Sequence, residues 1–349
     1  MRMMHNLSED RVSRLSSLID GAGSVVIAAH THPDGDALGS CTALLHYLAS
    51  RGCPSVCTVL PDTPPQSIRF IMGEDPRFLF ADRSPEEAAR RIAEADLIIL
   101  ADCNAFSRTE GLSPYLQASR ADKVLIDHHL HPDEAAFRLV FSDARMSSTC
   151  EFIYWILLEM KDIGGDPRRI PAAASRALMA GMTTDTNNFA NSVTPDTLRM
   201  AAGLLEAGVD RNAILGEIYQ RYRENRVRAM GWLQSENLRI TPEGGAYMIA
   251  TREILRRFDV QEGETEGLVN VPLSIDQVRI SLFLKEDQGH FRVSIRSKNG
   301  TSAQRLAAAR FHGGGHENAA GGKLYFPEDI ASPDDAAAYI EQTLKEFLS

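Results

Sequence analysis

The sequence predicts an α/β protein: an N-terminal domain with a mostly parallel sheet flanked by helices, followed by a smaller mixed α/β C-terminal domain. Three observations predict it. Short, continuously apolar runs rich in β-branched residues (Val25-Val26-Ile27-Ala28-Ala29, Leu97-Ile98-Ile99-Leu100 and Val124-Leu125-Ile126) alternate with helical stretches, as strands covered on both faces and joined by crossover helices should. After Gly244-Gly245 the pattern changes to period two, the mark of half-buried strands. The length, 349 residues, suits two domains at roughly 100–200 residues each.

Taken in order, Leu7, Val12, Leu15, Leu18 and Ile19 lie among charged residues and predict an amphipathic helix beginning near Ser8, not a signal peptide. A strand over 24–30, a helix over 37–51 and strands over 55–60, 96–102 and 123–127 follow. Ser148-Thr149-Cys150-Glu151 has the spacing of a capping box and opens a helix over 148–160. A helix over 171–182 delivers the chain into Thr183-Thr184-Asp185-Thr186. Thr194-Pro195 starts the next helix, which Gly208 closes, and Asp210 begins a charged helical stretch through the 220s. These boundaries divide the chain into a domain over 1–195, a helical connector over 196–225 and a second domain over 226–349. In the last, Val278, Ile280, Leu282 and Leu284 alternate up to the turn Glu286-Asp287-Gln288-Gly289, and Phe291, Val293 and Ile295 resume the alternation, a β-hairpin. An Ala-rich helix over 302–311, a short strand over 323–326 and a final helix capped near Ser332 complete it.

Composition narrows the function. The net charge of −10 argues against wrapping a long polyanion. No stretch approaches the about 18 apolar residues of a membrane span. The five cysteines show no CxxC pair and read as reduced core residues of a cytoplasmic protein. Basic residues concentrate in the second domain at Arg279, Lys285, Arg292, Arg296, Lys298, Arg305 and Arg310, enough for a small anionic ligand.

The chemistry-bearing residues sit where the apolar runs break off: His30, Asp34 and Asp36 after the first strand, Asp102 and His128 after two later ones, and Asp185 beyond a helix. Singly, each has a dull explanation: Asp102 could cap the next segment, Asp185 could form an Asx-turn with Asn187, and a buried histidine is more often satisfied by a carbonyl than by a metal. Recurrence changes the balance, because polar groups ending several buried strands are costly unless a ligand satisfies them. Open α/β sheets gather ligands at the strands' carboxyl ends, where the strand order switches. Gly35 is expected to let the loop turn tightly, so that both aspartates point inward.

Together, His30-x-x-x-Asp34-x-Asp36, Asp102, Asp127-His128-His129 and Thr184-Asp185-Thr186 resemble the ordered motifs of the DHH phosphoesterase superfamily. Gly313-Gly314-Gly315-His316 resembles the signature of its associated C-terminal domain. The resemblance runs from about residue 15 to about residue 345 and is similar in form to the bacterial nano-RNases that also dephosphorylate 3′-phosphoadenosine-5′-phosphate (pAp). It implies two Mn²⁺ ions, with Mg²⁺ or Co²⁺ as substitutes: one held by His30, Asp34 and Asp102, the other by Asp36, Asp102, His128 and Asp185. Mixed imidazole and carboxylate donors suit Mn²⁺ better than Mg²⁺. Asp127 would orient its neighbours, and His129 would lie beside the substrate phosphate as a catalytic group with Asp102. His32 and His131 match no ligand position.

The resemblance further implies an active-site cleft between the domains, with Arg296, Gly314, Gly315 and His316 binding the substrate: the glycines admit a phosphate or sugar to the backbone, and His316 bonds or stacks on a base. The implied substrates are short RNA oligonucleotides or pAp; linear or cyclic dinucleotides (pApA, cyclic di-AMP) are the enzymatic alternative, and a non-catalytic nucleotide sensor the other. A homodimer is compatible with the resemblance, and no heptad or exposed apolar stripe decides it. Asn187-Asn188-Phe189 departs from related chains, which often carry a glycine and a basic residue there.

Overall fold

The computed structural model describes residues 7–349. The chain divides into two compact units, the first ending at Arg221 and the second beginning at Tyr222. In the first unit the elements run α1 (Glu9–Gly21), β1 (Ser24–Ala28), α2 (Gly35–Ser50), β2 (Ser55–Leu60), β3 (Phe78–Phe80), α3 (Pro85–Ala93), β4 (Leu97–Ala101), α4 (Ser113–Ala118), β5 (Asp122–Asp127), β6 (Leu139–Ser142), α5 (Thr149–Glu159), α6 (Ala172–Asp185), α7 (Pro195–Glu206) and α8 (Arg211–Tyr219). Its six strands pair in parallel in the order β3-β2-β1-β4-β5-β6. The order reverses between β1 and β4, and crevices open at such switch points beyond the strands' carboxyl ends. Residues 29–36 and 102 occupy that place.

Both faces of this sheet are covered, which is why its strands read as unbroken apolar runs. Val25, Ile27, Leu97, Ile99, Val124 and Ile126 join the core shared with α2, α5 and α6. Val26, Ala28, Ile98, Leu100 and Leu125 turn to the opposite face, where Ala88 and Ile92 of α3 and Leu116 of α4 pack. Residues 195–219, read from sequence largely as connector, pack into this unit, with Met200, Leu204 and Ile214 in its core.

Helix starts follow their caps. Ser8 caps α1, its side chain accepting from Arg11 N. Asp34 caps α2 through bonds from the amides of Asp36 and Ala37, both 3.0 Å, so α2 begins at Gly35, ahead of the expected residue 37. Gly35 owes its identity to packing more than to a turn: its φ is not positive, and a Cβ there would lie 2.2 Å from Thr184 Oγ1 on α6. α2 and α6 approach again at Gly39 and Gly181, where a Cβ on Gly181 would meet Cys150 Sγ at 2.3 Å.

The second unit contains α9 (Glu224–Trp232), β7 (Arg239–Ile240), β8 (Gly245–Ala250), α10 (Arg252–Arg257), β9 (Ile280–Glu286), β10 (His290–Ser297), α11 (Ala303–Arg310), β11 (Gly314–Gly315), β12 (Ala319–Tyr325) and α12 (Ala336–Leu348). Its mixed sheet runs β11-β12-β10-β9-β8-β7, antiparallel except for the parallel pair β8–β9. The hairpin read from sequence is β9–β10; its inward residues Ile280, Leu282, Leu284, Phe291, Val293 and Ile295 pack with Leu306 of α11 and Ile340 and Leu344 of α12. Among the described residues no helix is long and apolar enough to cross a membrane.

The close packing of α2, α5 and α6 yields a stability prediction. Gly181→Ala drives a methyl into the Cys150 thiol and destabilises the first unit by about 1–3 kcal/mol, the usual penalty for overpacking. Denaturant unfolding measures it, and an unchanged midpoint would contradict the packing described.

Candidate metal centre

β1, β4 and β5 end side by side, and the residues just past them converge. Asp102 stands at the centre. It is 1% exposed and adopts φ 53°, a left-handed conformation that strains a non-glycine residue by about 1–3 kcal/mol, Asp and Asn tolerating it best. Its amide donates to Ile126 O on β5 (3.0 Å), and Thr149 Oγ1 donates to its Oδ1 (3.0 Å).

The two oxygens of Asp102 face different partners. Oδ2 lies 3.5 Å from His30 Nε2, which is itself 4.0 Å from Asp34 Oδ1. Oδ1 lies 3.6 Å from His128 Nε2, which also approaches Asp185 Oδ2 (3.6 Å) and Asp36 Oδ2 (3.9 Å). The groups His30–Asp34–Asp102 and Asp36–Asp102–His128 each bring one ligand atom per residue within 4.8 Å of one another, and Asp102 belongs to both. Asp185 is the last residue of α6, at the end of the helix that the sequence predicts over 171–182.

The electrostatics fit a cation. Burial pushes the Asp36 carboxyl well above its ordinary range, and the neighbouring charges of Asp102 and Asp185 push it further. Asp102 is pushed up by burial too, but the hydrogen bond with His30 and the charges of His129, His30 and His128 outweigh this and hold it below the ordinary range. Burial disfavours the protonated forms of His30 and His128, yet Asp102 and the neighbouring carboxylates raise both above 6.5. Protons on the imidazoles thus offset converging carboxylates. A divalent cation with oxygen and imidazole ligands would do so more completely, and these residues supply that donor set.

Asp127 is fully buried and accepts from the His129 amide (3.0 Å) and from His129 Nδ1 (2.8 Å), which fixes that ring's tautomer and direction. His32 and His131 are exposed loop residues with positive φ. Asp62, just past β2, was not singled out in the sequence; it accepts from Thr31 Oγ1 and from the His32 amide (2.7 Å), pinning the loop after β1. It too follows an apolar run, the signal that found the other acids. Asn187, Asn188 and Phe189 all have positive φ; Arg211 donates to Asn188 Oδ1 and stacks over the Phe189 ring.

In the second unit, Arg296 Nη1 donates to Ile295 O (2.9 Å) and Ala320 O (3.3 Å), partly turning the guanidinium back on the sheet. Gly314 and Gly315 pair with Gly321 and Ala320 of β12. A Cβ on Gly315 would meet Ala319 O at 2.6 Å, whereas around Gly314 there is open space. The exposed backbone of Gly314 thus has no internal reason to lack a side chain. The amide of His316 donates to Ala319 O (2.7 Å).

Comparison with known proteins accords with this geometry. Residues 24–182 match the model of the DHH family N-terminal domain, and residues 245–346 match the DHHA1 domain. The chain belongs to the DHH family. It is 28% identical over 329 residues to the Streptococcus mutans protein named probable bifunctional oligoribonuclease and PAP phosphatase NrnA, covering 93% of this chain and 95% of the relative. It is 27% identical over 335 residues to the bifunctional oligoribonuclease and PAP phosphatase NrnA of Bacillus subtilis, covering 95% and 97%. The crystal structure of an exopolyphosphatase-related protein from Bacteroides fragilis is similar over 99% of this chain and 98% of its own, with 32% identity and a TM-score of 0.90.

A cation held by His30 and His128 would compete with protons, whose affinity for both rings is raised by the surrounding carboxylates. Apparent affinity for a divalent cation such as Mn²⁺ would therefore fall as the pH drops into the range where these imidazoles protonate, with protons released on binding. Calorimetry in buffers of different ionisation enthalpy reads both. Affinity indifferent to pH would contradict imidazole ligation.

Proposed function

We propose that this protein is a Mn²⁺-dependent phosphohydrolase that shortens RNA oligonucleotides of a few residues, one nucleotide at a time, and removes phosphate from pAp. Membership of the DHH family makes it a metal-dependent phosphoesterase. The two relatives named for oligoribonuclease and PAP phosphatase activities, matched along nearly their whole length, support the finer reading. The observation that carries the metal-pair chemistry is Asp102, whose two carboxylate oxygens face two separate donor groups, as a carboxylate shared by a metal pair must. In this reading His30, Asp34 and Asp102 hold one ion, and Asp36, Asp102, His128 and Asp185 the other. When bound, the ions supply neutralisation of the phosphoryl oxygens and a water of lowered pKa.

The chain's own residues do the rest. His129, with its Nδ1 proton committed to Asp127, keeps Nε2 for a proton that it can deliver to the leaving oxygen of the nucleoside. We assign nucleotide binding to Arg296, the open backbone of Gly314, Gly315 and the His316 ring. The five unpaired cysteines accord with the reducing cytoplasm, where we place the protein.

Phosphate or mononucleotide release by the purified protein with Mn²⁺ tests the substrate class, comparing pAp, a dinucleotide RNA, a 24-nucleotide RNA and cyclic di-AMP at equal concentration. Fast turnover of pAp and the dinucleotide is expected. Preference for cyclic di-AMP would move the protein to dinucleotide signalling, and silence on all four with metal bound would make it a sensor.

Two substitutions separate chemistry from grip. Asp102→Ala lowers kcat by about a hundred- to ten-thousandfold, the several kcal/mol a metal clamp supplies. Arg296→Ala mainly raises KM, by about tenfold, through loss of a charged hydrogen bond. Wild-type turnover in Asp102→Ala would contradict the ligand assignment.

A further inference from the structure

We infer that Thr149 is a positioning residue that orients the carboxylates of Asp36 and Asp102 and thereby selects how each meets an ion. The inference rests on the two-ion reading above. Thr149, the first residue of α5, is fully buried. Its amide donates to Asp36 Oδ2 at 2.6 Å, and the next amide, of Cys150, donates to Asp36 Oδ1 at 3.0 Å. Its hydroxyl donates to Asp102 Oδ1 at 3.0 Å. One residue at one helix start thus addresses two carboxylates that come from the first turn of α2 and from just past the end of β4.

The helix does not need that hydroxyl. Ser148 performs the capping, its Oγ accepting from the Glu151 amide at 3.0 Å. Glu151 in turn does not return to the Ser148 amide as a capping box would; it accepts from Ser147 N (3.0 Å), Ser147 Oγ (2.5 Å) and Thr197 Oγ1 (2.9 Å). These bonds pin the turn before α5, so Thr149 is held still. With Oδ1 of Asp102 fixed by the hydroxyl, Oδ2 is left directed at His30 and Oδ1 at His128. Without that donor the carboxylate can rotate about its terminal torsion, which is broad and two-fold, and lose the division of its oxygens. Outer partners of this kind typically contribute ten- to hundredfold in metal affinity.

The test is Mn²⁺ binding to the full-length protein without substrate, followed by the electron paramagnetic resonance of free Mn²⁺, for the wild type, Thr149→Val and Thr149→Ser. Valine keeps the shape and both amides but removes the hydroxyl; it is expected to weaken the ion on the Asp36–His128 side by about ten- to hundredfold, with the other ion less affected. Serine restores the hydroxyl and is expected to bind within about threefold of wild type, inside the usual context-dependence of such effects. If the valine variant does not fold, as read by circular dichroism, Thr149→Ala takes its place with the same expectation. Wild-type affinities for both ions in the hydroxyl-free variant would overturn the inference, as would a serine variant as weak as valine, because the loss would then come from packing of the methyl group. A wild type that binds fewer than two ions would overturn the two-ion reading itself.

Discussion

Everything in the first unit answers to one electrostatic constraint: Asp36 and Asp102 are buried to within 1% of full enclosure, close enough for the charge of Asp102 to raise the proton affinity of Asp36, with Asp185 adding a third charge. Such groups cannot all ionise in a dry site without compensation. The protein meets the constraint with donors. His30 and His128 bring protons to the cluster, the first turn of α5 brings two amides and a hydroxyl, and Asp102 takes a strained backbone conformation to reach them all. The partial positive charge of a helix N-terminus adds to this compensation. What remains is a set of oxygen and imidazole atoms with their lone pairs converging, which is the chemical definition of a place for a hard or borderline divalent cation.

The architecture brings these donors together by topology. Because the strand order reverses between β1 and β4, the chain leaving each strand turns to opposite faces of the sheet, and the loops part to leave room at the carboxyl ends. The three helices on one face then pack closely enough for α5 to present its first turn to the cluster. Glycine at 35 and 181 permits that approach, and the Glu151 bonds to Ser147 and Thr197 brace the same turn. Geometry at the centre is thereby set by rigid elements, the condition for holding ligands within fractions of an ångström.

Much of this was legible in the sequence, and the reasons for the remainder are physical. The central strands were readable because burial on both faces makes them continuously apolar. β3, three residues long, and β6, four residues long, lie at the sheet edges, too short for such a signal. The acids and histidines of the cluster stood out because each ends an apolar run. Thr149 did not, since a threonine at a helix start is read as local capping, and the carboxylates it serves lie 47 and 113 positions away in sequence. Likewise Asp34 was read as a ligand but not as the cap that starts α2 early, and nothing in sequence discloses the left-handed backbone of Asp102. The tight-turn reading of Gly35 failed because a glycine's neighbour across a helix interface is invisible until the fold is known. Arg296 read as a free phosphate partner, yet its guanidinium also bonds the backbone of its own sheet.

The central claim is that Asp102 is shared by two cations. Crystals of the full-length protein grown with Mn²⁺ and measured at the manganese absorption edge test it directly. Two anomalous peaks about 3.5–4 Å apart, one beside Asp102 Oδ2 and His30 and the other beside Oδ1, Asp36 and His128, are the predicted result. A single peak, or peaks that leave Asp102 with an ion on one oxygen only, would contradict it.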